Sequence, residues 1–547
     1  MPYPPLVAAF TQRRPKPEKA VEVNVCSLED ISDGEMKEVA VDDGKVLIVR
    51  IGHEVRAIGA KCTHYGAPLV EGVLHKGRII CPWHHACFHA KTGAVLEPPA
   101  LDSLPCYRVR MDGDDVFVDM SDFTTALAHS AATSDPDRGS APAAADRVVA
   151  IIGAGAAGYI AAQTLRELGE RGRIVLITRE DRAPYDRPNL SKDYLSGHAD
   201  PAWMPLRDEK WFDQHSVELE RGRLVSRVSA ADHVVKFDDG STLSYSVALI
   251  ATGGSPRALK VPGAELDNVF LLRSFDDSDA IIAAAGEGGR AVVIGASFIA
   301  MEAASSLREL GVEVTVVAPD KVPFERIFGA EVGAMLQRLH EDKGVSFRLG
   351  AEVERIDGEI AAEAVVMSDG SRLPTDCVVV GVGVTPATDM LEGVTLDERG
   401  GVVVDDYLYA GNDIYAAGDI ASFPAPHTGE RIRIEHWRTA LQLGKIAARN
   451  IVAGDGVRVR FEDVPFFWTR QHGKTLQYVG HAREWDEVIH DGDVAGGSFI
   501  AYYFHSGRLV AAAAMDRPDA LTHIGERLRV NDLPTRDELR AIENEAR

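Results

Sequence analysis

The sequence predicts a multidomain protein: an all-β unit, an α/β region built from two dinucleotide-binding folds, and a C-terminal α+β unit. Three observations predict it. Between about residues 20 and 120, short β-rich runs alternate with turn signals. Two strand–helix–strand patterns follow, at Val148–Thr178 and Ala291–Val317, each with a glycine-bearing turn after its first strand. Beyond about Asp455 the chain becomes strand-like again and then helical. At 547 residues, 45% hydrophobic and 26% charged, it has length for roughly three to four domains.

The all-β unit, placed at 20–121, rests on the runs Val21–Val25, Val46–Arg50, Glu54–Ile58, Arg78–Ile80, Tyr107–Met111 and Val116–Val118. Turn signals such as Asp43-Gly44 and Asp112-Gly113 separate them. Before it, 1–19 reads as a tail. Arg13-Arg14 is followed by Pro15-Lys16-Pro17 rather than an apolar run, so it does not read as a targeting segment. After it, 122–146 reads as a flexible linker, because Ser130 to Ala145 is rich in Ala and Ser. The α/β region divides into a first dinucleotide fold over 147–270 and 386–455 and a second over 271–385. The last unit is 456–547. There, Phe499–Phe504 and Leu509–Ala513 read as a hairpin and about Asp519 to Val530 as a helix.

Acids outnumber bases by 83 to 59, a formal charge of −24, which disfavours nucleic acid and anionic lipid as partners. No apolar run reaches membrane-spanning length. There are six cysteines; with Cys62 and Cys81 set aside, the wide spacing of Cys26, Cys87, Cys106 and Cys377 suggests core thiols in a reducing, cytoplasmic setting rather than a disulfide framework.

The two cysteines set aside belong to a pattern. Cys62-Thr63-His64 and, sixteen residues later, Cys81-Pro82-Trp83-His84 offer two thiolates and two imidazoles in two loops. A Rieske [2Fe–2S] centre needs that set, since one iron takes two cysteines and the other two histidines. A structural Cys₂His₂ zinc site is the plainer reading, although zinc knuckles usually pair like with like. The segment Cys62-Thr63-His64-Tyr65-Gly66-Ala67 … Cys81-Pro82-Trp83-His84 resembles Rieske-type ferredoxins. The resemblance makes Cys62, His64, Cys81 and His84 the metal ligands. It departs at His85, where that family usually carries glycine. The cysteine pair that cross-links the loops of high-potential members is replaced by Ala67 and Trp83, which implies a lower-potential centre. His85 and His89 read as loop residues and Cys87 as a buried thiol.

The first dinucleotide fold opens Val148–Ile152, then Gly153-Ala154-Gly155-Ala156-Ala157-Gly158. Gly153 makes the turn, Gly155 lets the backbone approach a pyrophosphate, and Gly158 permits close helix–strand packing. The helix N-terminus at Ala156 faces the phosphates. Ala251-Thr252-Gly253-Gly254 and Ile414-Tyr415-Ala416-Ala417-Gly418-Asp419 accompany it. Together these resemble the flavin-binding parts of reductases with two dinucleotide folds, and imply FAD held partly by Asp419; alone, Asp419 reads as a turn acid. Pro184-Tyr185-Asp186-Arg187-Pro188-Asn189-Leu190-Ser191-Lys192 resembles ferredoxin reductases of ring-hydroxylating oxygenases and apoptosis-inducing factor. Arg187 and Lys192 inherit places beside the flavin from it. The acid expected to grip the adenosine ribose aligns with Arg179, leaving Glu180 next to it.

The second fold reads Gly295-Ala296-Ser297-Phe298-Ile299-Ala300-Met301-Glu302, with Ser297 and Ala300 in place of two glycines, and Gly381-Val382-Gly383 later. The resemblance makes it the NAD(P)H site, with Glu302 paired to Lys192 beside the nicotinamide. Taken alone, Glu302 is a helix-face carboxylate. Ala318 stands where an acid would hold the 2′-hydroxyl, with Asp320 and Lys321 close by, so NADH and NADPH both remain open. Arg433-Ile434-Glu435-His436-Trp437 and Pro465-Phe466-Phe467-Trp468 also resemble segments near the flavin. Trp437 and Trp468 either cover the flavin ring or are core aromatics.

The expected whole is an all-β Rieske domain followed by a flavoprotein with two dinucleotide folds and a C-terminal α+β interface domain, which in the family often pairs subunits into a homodimer. It implies an oxidoreductase taking electrons from NAD(P)H through FAD to the [2Fe–2S] centre. From there they pass to an external acceptor protein, such as an oxygenase component. A tethered carrier suits so acidic a chain. The alternative is an NAD(P)H-responsive FAD-binding sensor. With no C-x-x-C, a disulfide reductase mechanism has no support in the sequence.

Overall fold

The computed structural model describes residues 22–41, 44–125, 146–426 and 429–539. The expected tail at 1–19 and most of the expected linker lie outside the described residues. The linker's expected start is corrected, because the strand Asp115–Thr125 crosses position 122.

The first unit is a six-stranded antiparallel sheet. In spatial order its strands are Glu22–Ser27, Asp115–Thr125, Pro105–Asp112, Glu54–Gly59, Gly44–Ile51 and Met36–Val41. Val46, Leu47, Ile48 and Val49 are all fully buried, so the Gly44–Ile51 strand is covered on both faces. Val46 and Ile48 pack with Ile31, Val41 and Val116. Leu47 and Val49 face the cysteine loops, with Cys62, Cys81 and Phe88. Those loops are framed by a second, four-stranded sheet of three-residue strands, Val73–His75, Arg78–Ile80, Cys87–His89 and Val95–Glu97.

The α/β region holds two mainly parallel sheets. The first runs Val217–Glu220, Arg173–Ile177, Val148–Ile152, Val247–Ile250 and Ile414–Ala416, closed by antiparallel Tyr409–Gly411. The helices Ala156–Glu167 and Trp437–Ala453 cross so closely that a Cβ on Gly444 would meet the Ala157 carbonyl at 2.3 Å. The second sheet runs Val269–Leu271, Cys377–Val380, Arg290–Ile294, Glu313–Ala318 and Ser346–Leu349. Both expected borders between the folds fall inside strands. Position 270 lies in Val269–Leu271, the edge of the second sheet, and 385 lies in Val384–Pro386, which pairs with Gly254–Pro256 as a connecting ribbon.

The last unit is a five-stranded antiparallel sheet, Phe466–Gln471, Lys474–Gly480, Arg508–Met515, Ser498–His505 and Glu487–Asp493. One face packs on the second dinucleotide fold through Tyr478, Tyr503 and Phe499. The other takes the helix Pro518–Arg529 against Phe466, Trp468 and Ile500. No described helix is long and apolar enough to cross a membrane.

Candidate functional site

The two cysteine–histidine loops close on each other. The Cys62 and Cys81 sulfurs share a hydrogen bond, and burial followed by that neighbour pushes the Cys62 thiol well above its ordinary value. The imidazoles of His64 and His84 meet through their Nδ1 atoms at 3.1 Å. Burial holds His64 at about 3, which leaves a neutral ring with a free lone pair. All four residues are less than a tenth exposed. Among the described residues no three His, Cys, Asp or Glu side chains converge on a single ion. The donors form a sulfur pair and a nitrogen pair, a set that fits two irons, one taking both cysteines and the other both histidines.

His85 takes φ = +55°, the left-handed region that the family's glycine would occupy freely. Its contacts offset the strain. The ring stacks on Phe466 at 3.8 Å and its Nε2 meets the Thr522 hydroxyl at 3.0 Å. His85 therefore docks the first unit onto the C-terminal one. Around it, half-buried Glu97 is held by Arg78 and Arg438. Burial opposes its charge, but Arg438 and Arg78 bring its carboxyl down to about 2. Gln477 Nε2 donates to the Pro82 and Trp83 carbonyls at 2.9 and 2.7 Å, and Asn189 donates to the Tyr65 hydroxyl at 2.9 Å. Cys87 is a buried thiol.

Beside the loops lies a cleft of about 740 Å³. Its walls include Gly153, Gly155 and Ala156 from the first glycine turn, and Ala251, Thr252 and Gly253 from the strand end opposite. Glu180, Arg187 and Lys192 lie on another side, and Gly418, Asp419, Trp437 and Trp468 on a third. Ser297, Glu302 and Gly383 bring the second fold to the same space. Two expected residues, Gly158 and Gly295, are not on the wall but behind it. A Cβ on Gly158 would lie 1.9 Å from the Gly153 carbonyl, whereas a Cβ on Gly155 would meet nothing within 4 Å. That open cradle at a helix N-terminus fits a pyrophosphate. Gly295 turns at φ = +115°, and a Cβ there would meet the Gly381 carbonyl at 2.4 Å. Ala300, which replaces the third glycine, is tolerated because Gly381 opposite it lacks a side chain; a Cβ on Gly381 would meet the Ala300 methyl at 2.9 Å.

Most of the expected polar side chains of the cleft are paired. Glu180 binds Arg187 at 2.8 Å and accepts from the Tyr185 hydroxyl at 2.6 Å. Burial works against its charge, yet Arg187 and Tyr185 hold it below the usual range. Asp419 pairs with Arg273 at 3.2 Å. Lys192 and Glu302 meet at 2.7 Å, and Glu302 also accepts from Ser191 at 2.6 Å and Thr469 at 2.8 Å. The sequence reading missed Arg273, Ser191 and Thr469. Only Ser191, the neighbour of Lys192, lies in a stretch singled out beforehand. His436 sits among Trp468 and Phe467 with its buried Nδ1 unpartnered, an open donor-acceptor position in the flavin-sized space. Trp468 itself joins the two sites: it lines the cleft, and its ring lies 4.3 Å from His84.

Comparison with known proteins agrees with this geometry. The profile of the pyridine nucleotide-disulphide oxidoreductases matches residues 147–444, more than half of the chain. The chain belongs to that family. This oxidoreductase also matches the Rieske [2Fe–2S] domain at 21–108 and the reductase C-terminal domain at 466–540. It is 37% identical to human apoptosis-inducing factor 3, over 94% of this chain and 84% of that one. It is 35% identical to the 5,5′-dehydrodivanillate O-demethylase ferredoxin reductase subunit of a Sphingobium species, over 67% of this chain and 89% of that one. Among solved structures, the covalent putidaredoxin reductase–putidaredoxin complex superimposes with a TM-score of 0.67 at 29% identity, covering 70% of this chain and 93% of that one. The oxidoreductase thus uses FAD and NAD(P)H and carries a Rieske [2Fe–2S] centre. That sets the zinc reading aside.

Proposed function

We propose that this oxidoreductase passes electrons from NAD(P)H to an external one-electron acceptor along a fixed internal route ending at its own Rieske domain. One observation carries the reading: a single indole, Trp468, forms a wall of the cleft and packs on His84. Cys62 and Cys81 hold one iron, and His64 and His84 the other. Gly153, Gly155 and Ala156 cradle the FAD pyrophosphate, with Glu180, Arg187, Ala251, Thr252, Gly253, Gly418, Asp419 and Trp437 around the rest of the flavin. Gly295, Ser297 and Gly383 shape the nucleotide side. The flavin these residues would hold supplies the conversion of a two-electron hydride donor to one-electron transfer, and the iron–sulfur centre would supply the one-electron carrier. Lys192, fixed by Glu302, aligns the reacting rings, and Trp468 excludes water between flavin and His84.

Direct docking through Glu97, Arg438 and His85, rather than a tether alone, sets the distance between the centres. The relative named as a subunit of an O-demethylase supports an oxygenase component as acceptor. The free thiols Cys26, Cys87, Cys106 and Cys377 support a reducing, cytoplasmic setting.

Rapid anaerobic mixing of the loaded protein with NADH or NADPH tests the route. The expected result is flavin bleaching followed by a Rieske absorbance change whose rate does not depend on protein concentration, and which Trp468→Leu slows. Bleaching with an unchanging Rieske spectrum sinks the relay. The likeness to apoptosis-inducing factor 3 favours a second reading, a nucleotide-responsive regulator. Steady turnover of about ten per second with a one-electron acceptor speaks for the enzyme. Turnover of only about a few per hour, far below that range, with a nucleotide-dependent change in oligomer size, speaks for the regulator.

A further inference from the structure

Beyond Glu302 the hydrogen bonds do not stop. Thr469, which donates to Glu302 Oε1 at 2.8 Å, accepts from Gln471 Nε2 at 3.0 Å. Gln471 Oε1 meets His340 Nε2 at 2.8 Å, and His340 Nδ1 meets His472 Nε2 at 3.0 Å. Thr469, Gln471 and His340 are fully buried and His472 half-buried, so the chain runs from the cleft toward the surface. It crosses from the helix Ala330–Glu341 of the second dinucleotide fold to the strand Phe466–Gln471 of the C-terminal sheet.

The chain has one polarity. A carboxylate only accepts, so the Thr469 hydroxyl donates to it and must itself accept from the Gln471 amide. The Gln471 oxygen then accepts, which places the His340 proton on Nε2. Its Nδ1 accepts in turn, which places the His472 proton on Nε2. Every donor points toward Glu302, and such chains strengthen their members cooperatively. Burial keeps both imidazoles neutral, His340 at about 4 and His472 at about 3. The Gln471 amide does not hand on a proton as a hydroxyl or imidazole does, so the chain transmits orientation rather than protons.

We propose that Gln471, His340 and His472 are positioning residues: through Thr469 they lock the Glu302 carboxylate as an oriented anion that holds Lys192 in line. This rests on the assignment of Lys192 and Glu302 above. Nothing about these three residues stood out in the sequence.

The test is the limiting rate of flavin reduction by NAD(P)H in the FAD-loaded full chain. Gln471→Leu is expected to lower it about tenfold, because it removes two neutral hydrogen bonds, to Thr469 and to His340, with nucleotide affinity held within about twofold. His472→Asn keeps a residue that tolerates the positive φ of 50° found there and leaves the core intact. It is expected to cost about threefold, near the net effect of one neutral hydrogen bond. In a Glu302→Gln background, Gln471→Leu should add nothing, because both act on the same carboxylate. The proposal is overturned if Glu302→Gln slows reduction but Gln471→Leu and His472→Asn do not. It is equally overturned if the Gln471→Leu and Glu302→Gln losses multiply in the double variant, as a merely structural role would make them. If Glu302→Gln itself leaves the rate unchanged, the assignment of the pair fails and the inference falls with it.

Discussion

The two dinucleotide folds answer one packing demand in opposite ways. In the first, the helix position must be bare: a Cβ on Gly158 would meet the Gly153 carbonyl at 1.9 Å, while Ala251, just past the neighbouring strand, keeps its methyl. In the second, the helix carries Ala300 and the bare position is Gly381, just past the equivalent strand, where a Cβ would meet the Ala300 methyl at 2.9 Å. The glycine fingerprint is therefore a statement about close approach, and the bare position moves from the helix to the strand exit between the two folds.

The comparison can be broken most forcefully at Gly158. Gly158→Ala places a methyl on the Gly153 carbonyl, so it should cost ~3 kcal/mol or more and most of the bound flavin, read as flavin content and melting temperature. Acidity separates the halves next. On the flavin side, burial raises the Asp186 carboxyl to about 7, opposed by Lys192 and reinforced by Asp193. The folded chain keeps a proton that the unfolded chain releases near pH ~4. Stability is thus full below that pH and drains as pH climbs to about 7, by about 4 kcal/mol at most; Asp186→Asn should abolish this slope in a melting series. On the nucleotide side the sign reverses. His340, held at about 4 by burial, stabilises above its ordinary range, and that contribution is lost as the pH falls through about 6.5 toward 4.

Gly381→Ala should cost ~1–2 kcal/mol and weaken NAD(P)H binding while leaving flavin content intact. If it strips flavin instead, the two gaps are not independent. The smallest effect belongs to Ala300→Gly, at about 1 kcal/mol from lost helix propensity, with no gain in nucleotide affinity. In that background Gly381→Ala should be milder than alone, a coupling visible in a thermal double-mutant cycle.

Much of this was legible locally. The Cys62/His64 and Cys81/His84 loops, the Gly153–Gly158 turn and the strands Val148–Ile152 and Arg78–Ile80 are written in contiguous residues. The pairing of Lys192 with Glu302 came through likeness to a family, and the structure places the two at 2.7 Å. What stayed hidden depends on how domains meet. Glu97 finds Arg438 across 341 residues, and Trp468 finds His84 from another domain. The strands Val73–His75, Cys87–His89 and Val95–Glu97 are three residues long, too short for a period of two to show. Gly381 lay inside a quoted motif, but its debt to Ala300 is a matter of three dimensions.

One further consequence comes from the way His64 and His84 face inward, against Trp468 instead of solvent. In electrical terms the metal pair is an insulated conductor. On this side both imidazoles border the indole of the cleft wall, so stray dioxygen meets polypeptide before it meets either ring.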